Sequence, residues 1–271
     1  MPDPEPTGDA TARFAALVGG PADALEAGLA EAALLIAAHA DPGLDVPRYL
    51  GTLARFADGC PPGDLDGVLH RLFVVEGFAG NRGDYYAAEN SYLDRVIDRR
   101  LGIPITLAVV LLDVARRCGV ALRGVGMPGH FLVRFDGGDR PRFLDPFDGG
   151  RSLGVDECIA RFHASQGAGS AFDISHLDAV GAPTVVARIL GNLRAIHITN
   201  RDARSLEWVL RLRALLPGTS IRDRAERAGV LAAMGRYVDA ATVLEQLVPE
   251  ATGPVADQLV GQARKLRARL N

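Results

Sequence analysis

His130 and Asp145 are the residues of this sequence whose types and spacing could do chemistry. They lie 15 residues apart (145 − 130), on either side of a Gly137-Gly138-Asp139 turn signal. His130 opens a largely apolar run after Pro128-Gly129, and Asp145 closes another just before Pro146. Antiparallel strands joined by such a turn would place the two side by side. A carboxylate beside an imidazole fixes the ring tautomer and stabilises the charged ring, which is the base half of a nucleophile–His–Asp triad. The nucleophile belongs at the N-terminus of the preceding helix, where the helix dipole would lower a thiol pKa. That helix starts at Gly102-Ile103-Pro104-Ile105-Thr106, without a cysteine. The polar atom on offer there is the Thr106 hydroxyl. A threonine nucleophile needs strong activation; the plainer role for Thr106 is the N-cap of the helix. His130 has a plain alternative too, as a structural histidine that locks the sheet to Asp145.

Asn90, Tyr92 and Arg99 are candidates to line a cleft, with Arg99-Arg100 offering charge to an acidic peptide group. Each has a bland counterpart: Asn90 and Ser91 as a helix cap, Tyr92 as core, the arginines as an exposed helix end. Asn81 reads as a turn residue. The other histidines (39, 70, 163, 176 and 197) are scattered without metal-ligand spacing, so no metal or other cofactor is expected. Cys60, Cys118 and Cys158 form no CxxC pair. Cys118 falls at the far end of the helix that starts near Ile105, about 20 Å from the start at roughly 1.5 Å per residue. Cys60 and Cys158 lie in other elements, and nothing in the sequence brings either to His130.

Elements that would position these residues can be read from periodicity. Ala22–Ala40 is rich in Ala, Leu and Glu at helical spacing and stops at Asp41-Pro42-Gly43. Val46–Ala57 and Asp64–Phe73 read as helices, and Tyr92–Arg100 as a short one opened by Asn90-Ser91. An apolar helix follows from about Ile105 to Cys118, ended by Gly119. Ala121–Val125, Phe131–Phe135 and Arg142–Leu144 read as an antiparallel sheet packed on that helix. Ser152–His163 reads as a further helix, and the loop after it as a boundary. Beyond Pro183 the chain reads as helical throughout: Val185–Ile198, Arg204–Leu216, Ile221–Met234, Val238–Leu247 and Val255–Leu270. Leu212–Pro217 and Leu244–Pro249 share a Leu-x-x-Leu-apolar-Pro pattern, their prolines 32 residues apart (249 − 217). The segment around Gly235, Tyr237, Ala240 and Ala241 is close to half of a tetratricopeptide repeat.

The chain has 271 residues, 48% of them hydrophobic and 23% charged, with a net charge of −3. That suffices for a real core without a disulfide or metal staple. The mixed charge gives no basic surface for nucleic acid, and the C-terminal Arg264, Lys265, Arg267 and Arg269 read as a solvated helix face. Residues 1–20 are expected to be a flexible tail, acidic and proline-rich at the start and unlike a secretory signal. No stretch has the length of a membrane span. With three scattered cysteines, a reducing cytoplasmic setting is expected.

The motifs GFAGN (77–81), NSYL (90–93), RRLGIPITL (99–107), PGHFLVR (128–134) and LDPFDGG (144–150), in this order, resemble the SirB-like family. Residues 30–46 resemble that family's opening helix. The resemblance runs from about residue 21 to the end. It implies an α+β, transglutaminase-like (papain-like) core over residues 21–180 and a tetratricopeptide-like all-helical region over 183–271. Catalytic members of the superfamily carry Gly-x-Cys at the start of the core helix, then the His and the Asp. His130 and Asp145 match the last two. Laid on Gly102-Ile103-Pro104, the motif puts Pro104 where the cysteine would be, and a two-residue gap would put Thr106 there. A retained His–Asp pair without a thiol, joined to a helical repeat, points to a non-catalytic or cryptically catalytic peptide- or protein-binding regulatory protein, with a protein partner on its C-terminal repeats. The alternative is a hydrolase or acyltransferase that uses Thr106 or a water with His130 and Asp145.

Overall fold

The computed structural model describes residues 8–138 and 140–269. Of the expected features, residues 1–7 of the tail, Asp139 of the turn and Leu270 of the last helix lie outside these. The chain divides into two units at Ile189 and Leu190, a few residues later than the boundary expected near 180–183. The division falls inside a continuous helix, so no loop in the sequence marks it.

The first unit opens with α1 (Gly8–Val18). The expectation of a flexible stretch to residue 20 is thus corrected from Gly8 onward. Phe14 and Val18, one helical turn apart, are both buried, and Arg13 donates to Glu31 at 2.6 Å. Next come α2 (Ala22–Ala27) and α3 (Leu29–Ala37), where the sequence reads as one helix. Gly28 divides them: a Cβ there would lie 3.0 Å from Leu17 Cδ2 and 3.1 Å from the Ala24 carbonyl, so the bare backbone lets α1 come close. α3 is apolar on all sides apart from Glu31 and is almost wholly buried, as a helix without a polar face must be.

α4 (Val46–Ala57) is capped by Asp45, which accepts from the Arg48 amide at 3.0 Å. α5 (Leu65–His70) is capped in the same way by Asp64 and runs on as a wider π-turn over Arg71–Val75. Two short parallel strands follow, β1 (Ala79–Gly80) and β2 (Leu101–Gly102), with α6 (Leu93–Arg99) between them. They tie the GFAGN segment to the LGI segment. Directly after β2, α7 (Pro104–Arg117) runs through the core, with eleven of its residues buried.

The main sheet comprises β3 (Leu122–Val125), β4 (Leu132–Phe135), β5 (Arg142–Asp145) and β6 (Arg151–Leu153). After α8 (Val155–Gln166), β7 (Ala179–Val180) completes it. The order is β6-β5-β4-β3-β7, every pair antiparallel. α7 packs on β3 and β4, while Val125, Met127, Leu132, Phe143, Leu153, Cys158 and Phe162 form a cluster that includes α8. The helix expected over 152–163 starts instead at Val155: Ser152 is in β6, and the Glu157 side chain accepts from the Gly154 amide at 3.0 Å at the helix start. The architecture of this unit is α+β.

The second unit takes the end of α9 (Ala182–Thr199), then α10 (Ala203–Arg213), α11 (Ile221–Ala233), α12 (Tyr237–Leu247) and α13 (Pro254–Ala268). From α10 on, each helix packs on the next. Ala240, Ala241, Leu244 and Leu247 of α12 are buried with Ala228 and Leu231 of α11 and Leu259 and Ala263 of α13. Gly235 turns the chain between α11 and α12 at φ +77°, a conformation that favours glycine. No described helix is long and apolar enough to cross a membrane.

Candidate functional site

The β4–β5 pairing sets Val133 against Leu144 and Phe135 against Arg142. Continued by one pair, the register puts Asp145 opposite Leu132, and His130, two residues earlier, leads from the same face of the pleat. The two side chains meet: His130 Nε2 lies 2.9 Å from Asp145 Oδ2. Both residues are buried, Asp145 completely. An ionised carboxylate only accepts, so Nε2 carries the proton and Nδ1 is the nitrogen left to accept one. Nδ1 has no hydrogen-bond partner among the described residues, and the ring keeps a tenth of its surface open.

Asp145 is held from further sides. Its Oδ1 accepts from the Phe147 amide at 3.0 Å, where Asp145 caps the short turn Pro146–Asp148. Its Oδ2 also meets Arg161 Nη1 at 2.5 Å, and the same guanidinium reaches Asp148 at 3.4 Å. A wholly buried carboxylate needs such partners, because desolvation without them costs several kcal/mol. Arg188 of α9 donates to the carbonyls of Met127 at 2.9 Å and His130 at 2.7 Å, and lies over the Phe131 ring. It thereby fixes the bend that presents the imidazole. Burial pulls the Arg188 guanidinium below its ordinary value, and the neighbouring Tyr85 opposes that.

Phe147 sits edge-on to the His130 ring at 6.3 Å and edge-on to Tyr85 at 5.7 Å. Its place explains the GFAGN motif: a Cβ on Gly80 would stand 2.5 Å from both the Phe147 ring and its carbonyl. Arg82 stacks on Phe147 and pairs with Asp148 at 3.0 Å. Tyr85 and Tyr86 stand exposed on the adjoining loop, Tyr86 by 79%. The Tyr85 hydroxyl is pushed up, by burial first and then by Tyr86, against the pull of Arg188.

None of the other anticipated site residues bonds to His130 or Asp145 among the described contacts. Thr106 is wholly buried. Its hydroxyl donates to the Asn90 carbonyl at 2.7 Å and accepts from the Ile103 amide at 3.2 Å. Ile103 is the N-cap and Thr106 the third helical residue, so the reading of Thr106 as N-cap is corrected; it reaches back to the cap amide as in a capping box. Pro104, at the other candidate position, is buried at the first helical position, where a missing N–H costs nothing. Asn90 does not open into a cleft. Its amide donates to the carbonyls of Asp84 at 2.6 Å and Tyr85 at 3.1 Å and accepts from Asn81 at 3.0 Å, bracing the tyrosine loop from inside. Arg99 is exposed and reaches Asn90 at 3.4 Å. Tyr92 is half-buried at the start of α6.

Cys158 lies nearer the site than its place in sequence suggests. It is completely buried on α8. Its thiol is pushed up to about 11, by burial first and also by the charges of Glu157 and Asp145, with Arg161 opposing. Such a thiol stays protonated at neutral pH and faces the apolar cluster beneath the sheet. Arg161, Arg188, Phe147 and Tyr85 are what sequence reasoning missed. Only the last two left a trace, as aromatics inside motif-bearing loops. Among the described residues, no group of three or more His, Cys, Asp and Glu side chains could hold a metal ion.

Residues 51–191 match the family model of the transglutaminase-like superfamily. A UPF0162 protein of Xylella fastidiosa (strain Temecula1 / ATCC 700964) is 36% identical over 233 residues, 78% of this chain and 83% of that protein. A UPF0162 protein of Vibrio cholerae serotype O1 is 34% identical over 127 residues, 46% of this chain and 47% of its own. F-box only protein 21 of Mus musculus is 36% identical over 140 residues, 49% of this chain but 21% of that protein. No solved structure matches.

Proposed function

Because this chain belongs to the transglutaminase-like superfamily, among the UPF0162 proteins, we propose that it binds a polar group of a peptide or protein at His130 and does no thiol acyl transfer. The observation that carries this reading is where the nucleophile candidates lie. Pro104 and Thr106 are buried at the helix start, and the Thr106 hydroxyl is committed to backbone. Cys158 is sealed in the core, and Cys60 and Cys118 stand at the far ends of α4 and α7. What faces outward is an imidazole edge beside Phe147, with Tyr85 and Tyr86 at the rim. Aromatic rims next to one fixed polar group suit a peptide ligand.

The F-box protein supports a modular use of the fold, since the segment it shares is a fifth of its length. We read the second unit as tetratricopeptide-like and as the dock for a protein partner. A groove of about 600 Å³ lies between α11, α12 and α13. Lys265 and Arg269 line it without carboxylate partners among the described residues, whereas Arg194, Arg224, Arg227 and Arg267 each have one. An acidic segment is the complement.

One observation favours a second reading, hydrolysis by an activated water: the unpartnered Nδ1 of His130 on a ring oriented by Asp145. A peptide array probed with the full chain and with His130→Ala separates the two. The binding reading expects retained peptides to be lost with the variant and to remain uncleaved. Equal retention by both proteins would overturn it, and cleaved peptides would favour the second.

A further inference from the structure

A second cluster of reactive groups lies away from His130, where the ends of α4 and α7 meet. Cys60 follows α4 and is partly exposed, while Cys118 caps α7 and is 5% exposed. They are 58 residues apart in sequence (118 − 60). Backbone bonds bring them together: the Gly63 amide donates to the Cys118 carbonyl at 2.8 Å, and the Cys60 amide to that of Ala57 at 3.1 Å. Cys60 Sγ lies 3.9 Å from the Phe56 carbonyl and Cys118 Sγ 3.8 Å from the Ala57 carbonyl. Those carbonyls are consecutive in the last turn of α4, so both sulfurs rest on one helix end. The Cys118 thiol is pushed up to about 11, by burial first and then by the charge and hydrogen bond of Cys60, as two thiols in contact would be.

We propose that Cys60 and Cys118 are a dithiol that low-molecular-weight disulfides oxidise to an intramolecular disulfide. Cys60 is the entry thiol, being the exposed member. Its thiolate attacks one sulfur of the small disulfide, forms a mixed disulfide and releases one small thiolate. Cys118 then loses its proton and attacks Cys60 Sγ, which releases the second small thiolate. Two protein thiols are oxidised and the small disulfide is reduced to two thiols, which take up the two protons. Capping of Cys60 removes a neighbour whose charge and hydrogen bond help to hold the Cys118 thiol up, so the first step eases the second. Burial remains, so the second step is the slow one. The product bridges the ends of α4 and α7, and a cross-link over so long a loop raises the melting temperature by roughly 5 °C or more.

Cys158, fully buried on α8, is the internal control. The test incubates the full chain under native conditions with oxidised glutathione, then blocks remaining thiols under denaturing conditions and maps peptides without reduction. The expected result is a Cys60–Cys118 cross-linked peptide, a mass lower by two hydrogens, a blocked Cys158 and a raised melting temperature. Cys60→Ser should give no cross-link and no glutathione adduct, and Cys118→Ser should trap one glutathione on Cys60. A wild-type protein that stops at a stable adduct on Cys60, bridges through Cys158 or stays fully reduced overturns the proposal.

Discussion

His130 and Arg161 converge on one oxygen: His130 Nε2 lies 2.9 Å, and Arg161 Nη1 2.5 Å, from Asp145 Oδ2. The carboxylate that orients the imidazole is thus matched by a permanent cation. Arg161 should be structural for the site: Arg161→Ala removes the permanent cation from Asp145 and leaves it only His130 and the Phe147 amide in the core, at a cost of up to about 3–5 kcal/mol. Combining it with Asp145→Asn should recover part of that loss. Urea denaturation of the single and double variants checks both, and additive losses would show that the pair is not coupled.

Thr106 should likewise behave as a structural hydroxyl. Thr106→Val breaks the bonds to Asn90 and Ile103 and is expected to cost about 1–3 kcal/mol. Thr106→Ser keeps the hydroxyl and should lose only about 1 kcal/mol for the buried methyl. The peptide binding lost with His130→Ala should survive in Thr106→Ser. A serine variant that gained reactivity towards acyl donors would contradict this view.

Gly80 makes room for Phe147. Gly80→Ala forces a Cβ to within 2.5 Å of that ring and its carbonyl, and overpacking of this kind costs about 1–3 kcal/mol. The His130 ring signals in an NMR spectrum should move as well, since Phe147 lies edge-on to that ring.

Asp94 gives a pH dependence. It is 2% exposed, its Oδ1 has no partner, and burial raises its carboxyl above the ordinary range, against the pull of Arg95 and together with Asp41. A carboxyl raised on folding stabilises the protein below its unfolded pKa, and that contribution is lost as pH rises through the folded value. Asp94→Asn should therefore stabilise the protein at pH 7, on the order of 1 kcal/mol, and the gain should vanish in acid. Melting curves of both proteins between pH 3 and 7, roughly the carboxylate titration range, read this directly.

Much of this was legible in the sequence because it is local. The hairpin and the His130–Asp145 meeting follow from alternation and a turn signal, and the core helix from an apolar run between Pro104 and Gly119. What was not legible is long-range. Nothing in periodicity links Arg161 of α8 or Arg188 of α9 to the strand ends, because each pairing depends on how helices dock. Asn90 reads as a cleft residue or a helix cap because it is polar and sits in a motif; its donors and acceptors turn inward to hold the Tyr85 loop. α1 is hard to see in the sequence because it follows directly on an acidic, proline-rich start, although Phe14 and Val18 are buried at helical spacing. Gly28 broke the first long helix for a packing reason, the approach of Leu17, that composition does not record.

If the site binds without forming a covalent intermediate, no acyl group stays on the chain. Peptide mapping by mass spectrometry reads this after the full chain and His130→Ala are incubated with glutamine-containing peptides and peptidyl thioesters. Both proteins are expected to remain unmodified at Thr106 and Cys158, with the donors consumed no faster by the native chain than by the variant. An acyl adduct on either residue, or donor turnover that disappears with His130→Ala, would contradict it.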